Sequence, residues 1–276
     1  MPSAARRIAS LLACLSLGAL ATISLAHEFW LQADALRVPA GATVKISTMV
    51  GDGFPGESRP RDPTKLDRFE IAGGGAAAQP ILGIDGNDPA GIVQLAKPGT
   101  YAVGYRSRNT MITLDGPKFD AYLKEEGLDN ALEARKGKSD VPGRERYSRC
   151  AKTLISVGDD RGSGFDHSFG FPLELIPTQN PYALAAGDGL TVTLLADGKP
   201  AANALVRATN RDHPGEWLSE RTNDQGQVTF KLDQPGFWMI ASVRMTAVEP
   251  PAPDCDWESL WATLTFDLTP SKNNTR

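Results

Sequence analysis

Two pairs of matching segments constrain this chain more than anything else in it. Pro39-Ala40-Gly41-Ala42-Thr43-Val44-Lys45-Ile46 is a turn followed by alternating apolar residues, and Ala185-Ala186-Gly187-Asp188-Gly189-Leu190-Thr191-Val192-Thr193-Leu194 has the same shape 146 residues later. Leu95-Ala96-Lys97-Pro98-Gly99-Thr100-Tyr101-Ala102-Val103 is matched by Leu232-Asp233-Gln234-Pro235-Gly236-Phe237-Trp238-Met239-Ile240 at an offset of 137. Pro-Gly presets a turn, and alternation of large apolar residues marks a strand with one buried face. The chain therefore reads as two tandem units of one β-sandwich type, each opening with the first motif and nearly closing with the second.

Strands are expected in the first unit near 28–31, 35–38, 43–50, 67–71, 80–84, 91–95 and 100–106. In the second they are expected near 172–176, 189–196, 203–210, 216–221, 226–231, 236–245 and 259–268. Short strands with frequent turn signals favour an all-β fold, two tandem immunoglobulin-like β-sandwiches, over a parallel sheet. Ala72 to Ala78 is Gly/Ala-rich and reads as a hairpin tip. One insertion interrupts the pattern at 116–150. Gly116-Pro117 opens a helix whose Phe119, Tyr122 and Leu123 share a face, and Gly127 stops it. The basic run Arg144, Arg146, Arg149 and Lys152 reads as a solvated face balancing nearby acids. Trp238 and Trp261 fall in strand patterns and read as core, whereas Trp217 reads as a surface residue. The expected boundaries are an export signal over 1–26, a first sandwich over 27–168 with its helical insertion, and a second over 169–276.

The export signal rests on Arg6-Arg7, an uncharged apolar stretch from Ile8 to Ile23, and the small-residue pattern Ser24-Leu25-Ala26. The stretch is short for a membrane span, which needs about 20 apolar residues. Cleavage after Ala26 implies a periplasmic protein with no stable membrane anchor. Losing Arg6 and Arg7 takes the net charge from −4 to −6, which disfavours nucleic acid as a partner. Cys14 leaves with the signal. Cys150 and Cys255 remain as a disulfide candidate in an oxidising compartment, two buried free thiols being the alternative.

Cleavage there would also make His27 the first residue. An amino-terminal histidine offers its α-amine and ring Nδ1 to one transition-metal ion, and imidazole suits nickel, cobalt or copper. Further donors would be His167, at the expected junction, or His213, before Pro214-Gly215, with Glu28 adding an oxygen. The chain has only three histidines and lacks a His-x-x-x-His spacing or a clustered Cys pair, so it carries no strong zinc signature. No nucleophile elbow, phosphate loop or paired acids identify an enzyme.

Several stretches carry a resemblance. They are His27-Glu28-Phe29-Trp30-Leu31, Gly143-Arg144-Glu145-Arg146-Tyr147-Ser148-Arg149-Cys150, Phe171-Pro172-Leu173-Glu174-Leu175-Ile176-Pro177 with Asn180-Pro181-Tyr182, and Asp256-Trp257-Glu258-Ser259-Leu260-Trp261. The chain resembles a bacterial family of exported proteins of unknown function whose members are often labelled periplasmic components of cobalt or nickel uptake. Gly198-Lys199-Pro200-Ala201-Ala202-Asn203 with Thr222-Asn223-Asp224-Gln225-Gly226 is similar to carboxypeptidase-regulatory-like or transthyretin-like domains, which implies an accessory sandwich without catalysis. Arg244 stands where such relatives often carry histidine.

The expected function is a non-enzymatic, periplasmic metal-handling protein that passes an ion to a membrane transporter or another envelope protein. The alternative is an immunoglobulin-like module that recognises a protein or glycan without metal. Mass spectrometry of the exported amino terminus is expected to give a mass beginning at His27; any other start removes the amino-terminal chelate.

Overall fold

The computed structural model describes residues 28–159 and 162–270. The expected export signal and His27 lie outside the described residues. The first unit contains β1 (Glu28–Ala33), β2 (Arg37–Val38), β3 (Ala42–Gly51), β4 (Glu57–Arg59), β5 (Leu66–Gly73), β6 (Ala76–Pro80), β7 (Gly91–Leu95), β8 (Gly99–Ser107), β9 (Thr110–Leu114), helices α1 (Gly116–Glu125) and α2 (Asp129–Ala134), and β10 (Gly143–Val157). The second contains β11 (Leu173–Pro177), β12 (Gly189–Ala196), β13 (Lys199–Pro200), β14 (Leu205–Asn210), β15 (Leu218–Arg221), β16 (Gln227–Lys231), β17 (Gly236–Ala252) and β18 (Cys255–Leu268).

The fold is all-β, and its two immunoglobulin-like sandwiches are fused through one sheet. A 10-stranded central sheet runs β15-β14-β17-β18-β10-β8-β5-β6, with β2 and β9 also on β10. Its two halves meet where β10 pairs parallel with β18, from Glu145↔Trp257 to Thr153↔Thr265. One 4-stranded sheet (β1, β3, β4, β7) and another (β11, β12, β13, β16) form the outer layers.

Alternation along β10 shows where those layers lie. Ala151 and Ile155 join the core beneath β1 and β3, with Phe29, Leu31, Val44 and Ile46. Cys150 and Leu154 join the opposite core, with Leu173, Leu175, Val192 and Leu194. Successive strand residues point to opposite faces, so the two outer sheets cover opposite faces of the central one. The strands at the join are buried on both sides, as parallel pairs usually are.

The basic run is part of that join. Arg144 holds both Asp256 oxygens at 2.8 and 2.6 Å, and Arg146 pairs with Glu258 at 3.2 Å. These two fit the solvated face expected for them. Lys152 does not: its side chain is 1% exposed, because its position on β10 points into the core under β11.

The helical part of the insertion ends at Ala134, and Gly143 already begins β10. The expected range of 116–150 is therefore too long. The helices also cover the other unit: Phe119, Tyr122 and Leu123 pack with Val243, Met245, Trp257 and Trp261 of β17 and β18. The ring of Phe119 occupies the space a side chain at Gly143 would need. The strand expected at 80–84 is instead β6, which pairs back on β5 around the left-handed Gly74 and Gly75. Backbone hydrogen bonds form this hairpin without large side chains, so apolar alternation did not mark it.

Cys150 and Cys255 are buried free thiols, not a disulfide. Cys150 lies opposite Ala262, seven positions along β18 from Cys255. That is about 23 Å at 3.3 Å per residue, far beyond the roughly 7 Å Cα limit for a bridge.

One ion pair anchors the outer sheet to the join. Lys152 Nζ meets Glu174 of β11 at 3.0 Å and also donates to the His167 carbonyl at 2.8 Å. Glu174 further accepts from Ser168 Oγ at 2.7 Å and from the Phe169 and Gly170 amides at 2.8 and 3.1 Å. Burial pushes this carboxyl upward, but the ammonium and these donors outweigh it and hold it below the usual range. Such a group stabilises the fold above its unfolded pKa, and the contribution is lost as pH falls through the folded one. Lys152→Met, which strands a buried carboxylate, is expected to cost about 3–5 kcal/mol at neutral pH. Urea unfolding of both proteins near pH 7 and near pH 4 checks this, with the difference shrinking in acid.

Candidate functional site

Of the expected metal donors, His27 lies outside the described residues, and Glu28, His167 and His213 are described. Glu28 is buried, and its carboxylate takes Arg207 of β14 at 3.0 Å. The same guanidinium holds Glu126, just past α1, at 2.6 Å. Glu28 is thus committed to a cation. His167 sits edge-on to Phe169 with ring centres 4.7 Å apart, and burial, then the Lys152 charge, hold its pKa below the usual value. His213 lies in the turn after β14, where its amide donates to the Asn210 carbonyl at 3.1 Å. Among the described residues, no group of three His, Cys, Asp or Glu side chains is placed to hold a metal ion. Arg244, in the position noted for histidine in relatives, pairs with Asp197 at 3.2 Å.

A different site is assembled at one end of the first sandwich. A cavity of about 430 Å³ opens between β1, β3 and β4 on one side and β5, β8, β9 and β10 on the other. That volume is in the range of small-molecule pockets, about 300–1,000 Å³. Each wall follows from strand alternation. Phe29, Phe69 and Tyr105 turn inward from β1, β5 and β8, with Phe29 and Phe69 ring centres 4.9 and 5.7 Å from Tyr105. Tyr147 and Arg149 turn inward from β10.

Arg149 is the cation set among these rings. Its guanidinium carbon lies 5.4 Å from the Phe29 ring centre, 5.2 Å from Tyr147 and 5.8 Å from Trp261. Burial draws its pKa down from the ordinary arginine value, yet a guanidinium stays charged in proteins. Burial, and then the charge of Asp62, push the Tyr105 phenol up to about 12. It therefore remains a neutral hydroxyl at physiological pH.

Arg59, Arg61 and Lys65 also line it, and Asp62 is the only acid in it among the described residues. Arg59 pairs with Glu57 at 3.1 Å, Arg61 with Asp85 at 3.1 Å, and Lys65 with Asp62 at 3.8 Å. Asp62 accepts from the Thr64 hydroxyl and amide, which hold its pKa below the usual range. Among the described residues, the lining has no histidine or cysteine, and the one carboxylate among them is already held. This chemistry suits holding an anion with an apolar body better than moving protons.

The sequence reading missed Arg149 because it treated the basic run as one face. The available signal was the alternation Tyr147, Arg149, Ala151, which sends Arg149 to the opposite side from Cys150 and Lys152.

A family model described as a domain of unknown function, DUF4198, matches residues 24–246. No curated protein matches the chain. Among solved structures, the D0-D1 domain of intimin is 13% identical, over 86% of this chain and 96% of that one, with a TM-score of 0.20. The D00-D0 domain of intimin is 14% identical, over 87% and 99%, at 0.19. A DUF4785 family protein from Legionella pneumophila is 9% identical, over 77% of this chain and 50% of that one, at 0.23.

The Glu28–Arg207–Glu126 cluster beside this pocket sets a pH response. Burial, then the neighbouring Glu28 charge, push Glu126 up to about 8 against the pull of Arg207. Burial also raises Glu28. Two buried carboxylates on one partly buried guanidinium therefore keep a proton near neutrality. A carboxyl raised in the folded state stabilises it fully below the unfolded pKa, and that contribution is lost as pH rises through the folded one. Glu126→Gln is expected to flatten the decline in stability between about pH 4.5 and about pH 8. Urea midpoints across that interval check it; an unchanged slope would show that Glu126 does not carry the proton.

Proposed function

The chain belongs to the DUF4198 family, a domain of unknown function, and from that premise we propose that it is a non-enzymatic recognition module of the cell envelope. Its site is the pocket of the first sandwich, and its ligand is a small anion. One observation carries this reading: a guanidinium held among aromatic rings in a cavity of about 430 Å³. Preformed pockets with apolar walls and few placed polar groups are the usual form of small-molecule sites. A cation desolvated by ring faces interacts more strongly with an anion than one in water does.

The location in the envelope rests on the amino-terminal signal pattern, Arg6-Arg7 through Ala26. No helix among the described residues is long and apolar enough to cross a membrane. The non-enzymatic reading rests on the pocket's lining, in which the single acid among the described residues is engaged by Thr64 and Lys65.

The test uses 8-anilinonaphthalene-1-sulfonate, an anionic aromatic probe that brightens when desolvated, with a chelator present. The folded protein is expected to bind one probe molecule per chain at micromolar concentration, about −8 kcal/mol. Thr110→Trp, at a partly exposed position lining the cavity, should fill the space and weaken the probe at least tenfold without altering the circular dichroism. No binding to the folded chain, or binding indifferent to Thr110→Trp, overturns the proposal.

A further inference from the structure

One strand of the central sheet outruns its neighbour and leaves an open edge beside the helices. β17 pairs with β14 from Trp238↔Asn210 to Ala241↔Arg207. Past that point, Ser242 to Ala247 keep β18 on one side, from Ser242↔Ala262 to Ala247↔Trp257. Among the described residues, no strand pairs with their other side. The ladder ends because the chain turns away before β14. Asn203 is left-handed at φ 57°, and its amide donates to the Thr222 carbonyl at 3.0 Å. The carbonyl of Leu205, the first residue of β14, accepts from Ser242 Oγ at 2.7 Å.

Backbone groups of a strand point to its two neighbours in alternation. On β17 the Phe237 carbonyl accepts from the Arg211 amide, on the β14 side, at 2.9 Å. The pairing with β18 has no register shift between Gly236 and Ala247, so Val243, Met245 and Ala247 turn their N–H and C=O groups to the open edge. Asn130, the second residue of α2, shows what that edge takes. Its side-chain Nδ2 donates to the Met245 carbonyl at 2.9 Å. A side-chain amide stands where the next strand would place a main-chain one.

A groove of about 740 Å³ lies along this edge. The Val243 and Met245 side chains pack with Leu128, just before α2, and Arg244 between them pairs with Asp197 of the β12–β13 turn at 3.2 Å. Successive side chains point to opposite faces, so the helix and the hairpin wall the edge from opposite sides. Ala196, Ala201 and Ala202 leave space along the hairpin wall. Each wall carries an ion pair already made, Arg244–Asp197 on the hairpin and Arg221–Asp129 at 2.7 Å beside the helix. Lys199, also in the lining, is exposed. The complement of such a slot is neutral main chain, extended so that its amides meet those of β17. Open edges are templates for strand addition, in which main-chain hydrogen bonds supply affinity. The stretch from Ser242 to Ala247 is about 20 Å long at 3.3 Å per residue, enough for a segment of about six residues. We propose that this edge binds an extended, uncharged peptide segment of a partner protein as an added strand of the central sheet, in line with β14. The site shares no lining residue with the pocket of the first sandwich.

Fluorescence anisotropy of a hexapeptide amide, Ala-Val-Ala-Val-Ala-Val, carrying fluorescein on a Gly-Ser linker, tests this. The folded protein is expected to bind it with a Kd of roughly 100 μM or tighter. N-methylation of the alanine amides and, separately, of the valine amides removes the donors of one edge of the peptide at a time. One set is expected to weaken binding at least about tenfold and the other less than about threefold, because only one set meets β17. Ala202→Trp, at an exposed position of the lining, should fill the groove and weaken the unmodified peptide about tenfold or more without altering the circular dichroism. Thr110→Trp, in the other pocket, should leave the peptide unchanged.

No binding to the folded chain, equal response to both methylated sets, indifference to Ala202→Trp or loss on Thr110→Trp overturns the proposal. Sedimentation of the protein alone covers the remaining occupant: a dimer that Ala202→Trp dissociates would assign the edge to a second copy of this chain and overturn a separate partner. Naphthalenesulfonate binding retained in Ala202→Trp keeps failure here distinct from failure of the first pocket.

Discussion

The parallel contact between β10 and β18 is the constraint the rest of the molecule answers to. Parallel neighbours cannot be joined by a tight turn, and here about a hundred residues separate them. Once paired, both strands are covered on two faces, so polar side chains there need internal partners. Thr263 and Thr265 donate to the Phe29 and Leu31 carbonyls, each at 2.8 Å. Lys152 finds Glu174 on the opposite face. The hydroxyls fix β1 over the join, and the ion pair fixes β11 beneath it. Each outer sheet is tied to a strand of the join by a bond that an apolar residue could not make.

Much of the local structure was legible because alternation is a local property. The Pro-Gly turns at Pro98-Gly99 and Pro235-Gly236 lead into β8 and β17, where the repeat placed them. Phe119, Tyr122 and Leu123 do share one buried face of α1. Trp238 and Trp261 are core residues, at 4% and 7% exposed. The fusion of the two units was not legible, since periodicity says which face of a strand is buried but not what covers it. β10 shows the limit. A strand buried on both sides need not alternate in polarity, so Arg149 and Lys152 looked like the exposed Arg144 and Arg146 around them. The burial of Trp257 was hidden in the same way by its acidic neighbours Asp256 and Glu258, which face the arginines.

The candidate site was less legible than the fold because it belongs to no single stretch. Its walls come from β1, β3, β4, β5, β8, β9 and β10, brought together only by closure of the sandwich. The sequence drew attention to His27, Glu28, His167 and His213 because histidines and acids signal chemistry wherever they stand. Among the described residues no three such donors are grouped to hold a metal ion, and Glu28 takes an arginine. Phe29, next to it, was read only as part of a strand, and it is this residue that lines the cavity.

Adjacent positions on β1 place the two polar features of this region back to back. Glu28 turns toward Arg207 and Glu126, while Phe29 turns into the pocket and meets Arg149 at 5.4 Å. Arg149 lowers the proton affinity of Glu28 through space, acting after burial and Arg207. An anion seated on Arg149 would cancel part of that field and raise the affinity of the carboxyl pair for its proton. Linkage makes the effect reciprocal, so a protonated pair strengthens the pocket's hold on an anion. The field crosses one strand, β1, whose carbonyls at Phe29 and Leu31 accept from the threonines of β18. The same bonds that fuse the two sandwiches therefore keep the charged cluster and the aromatic pocket at a fixed separation.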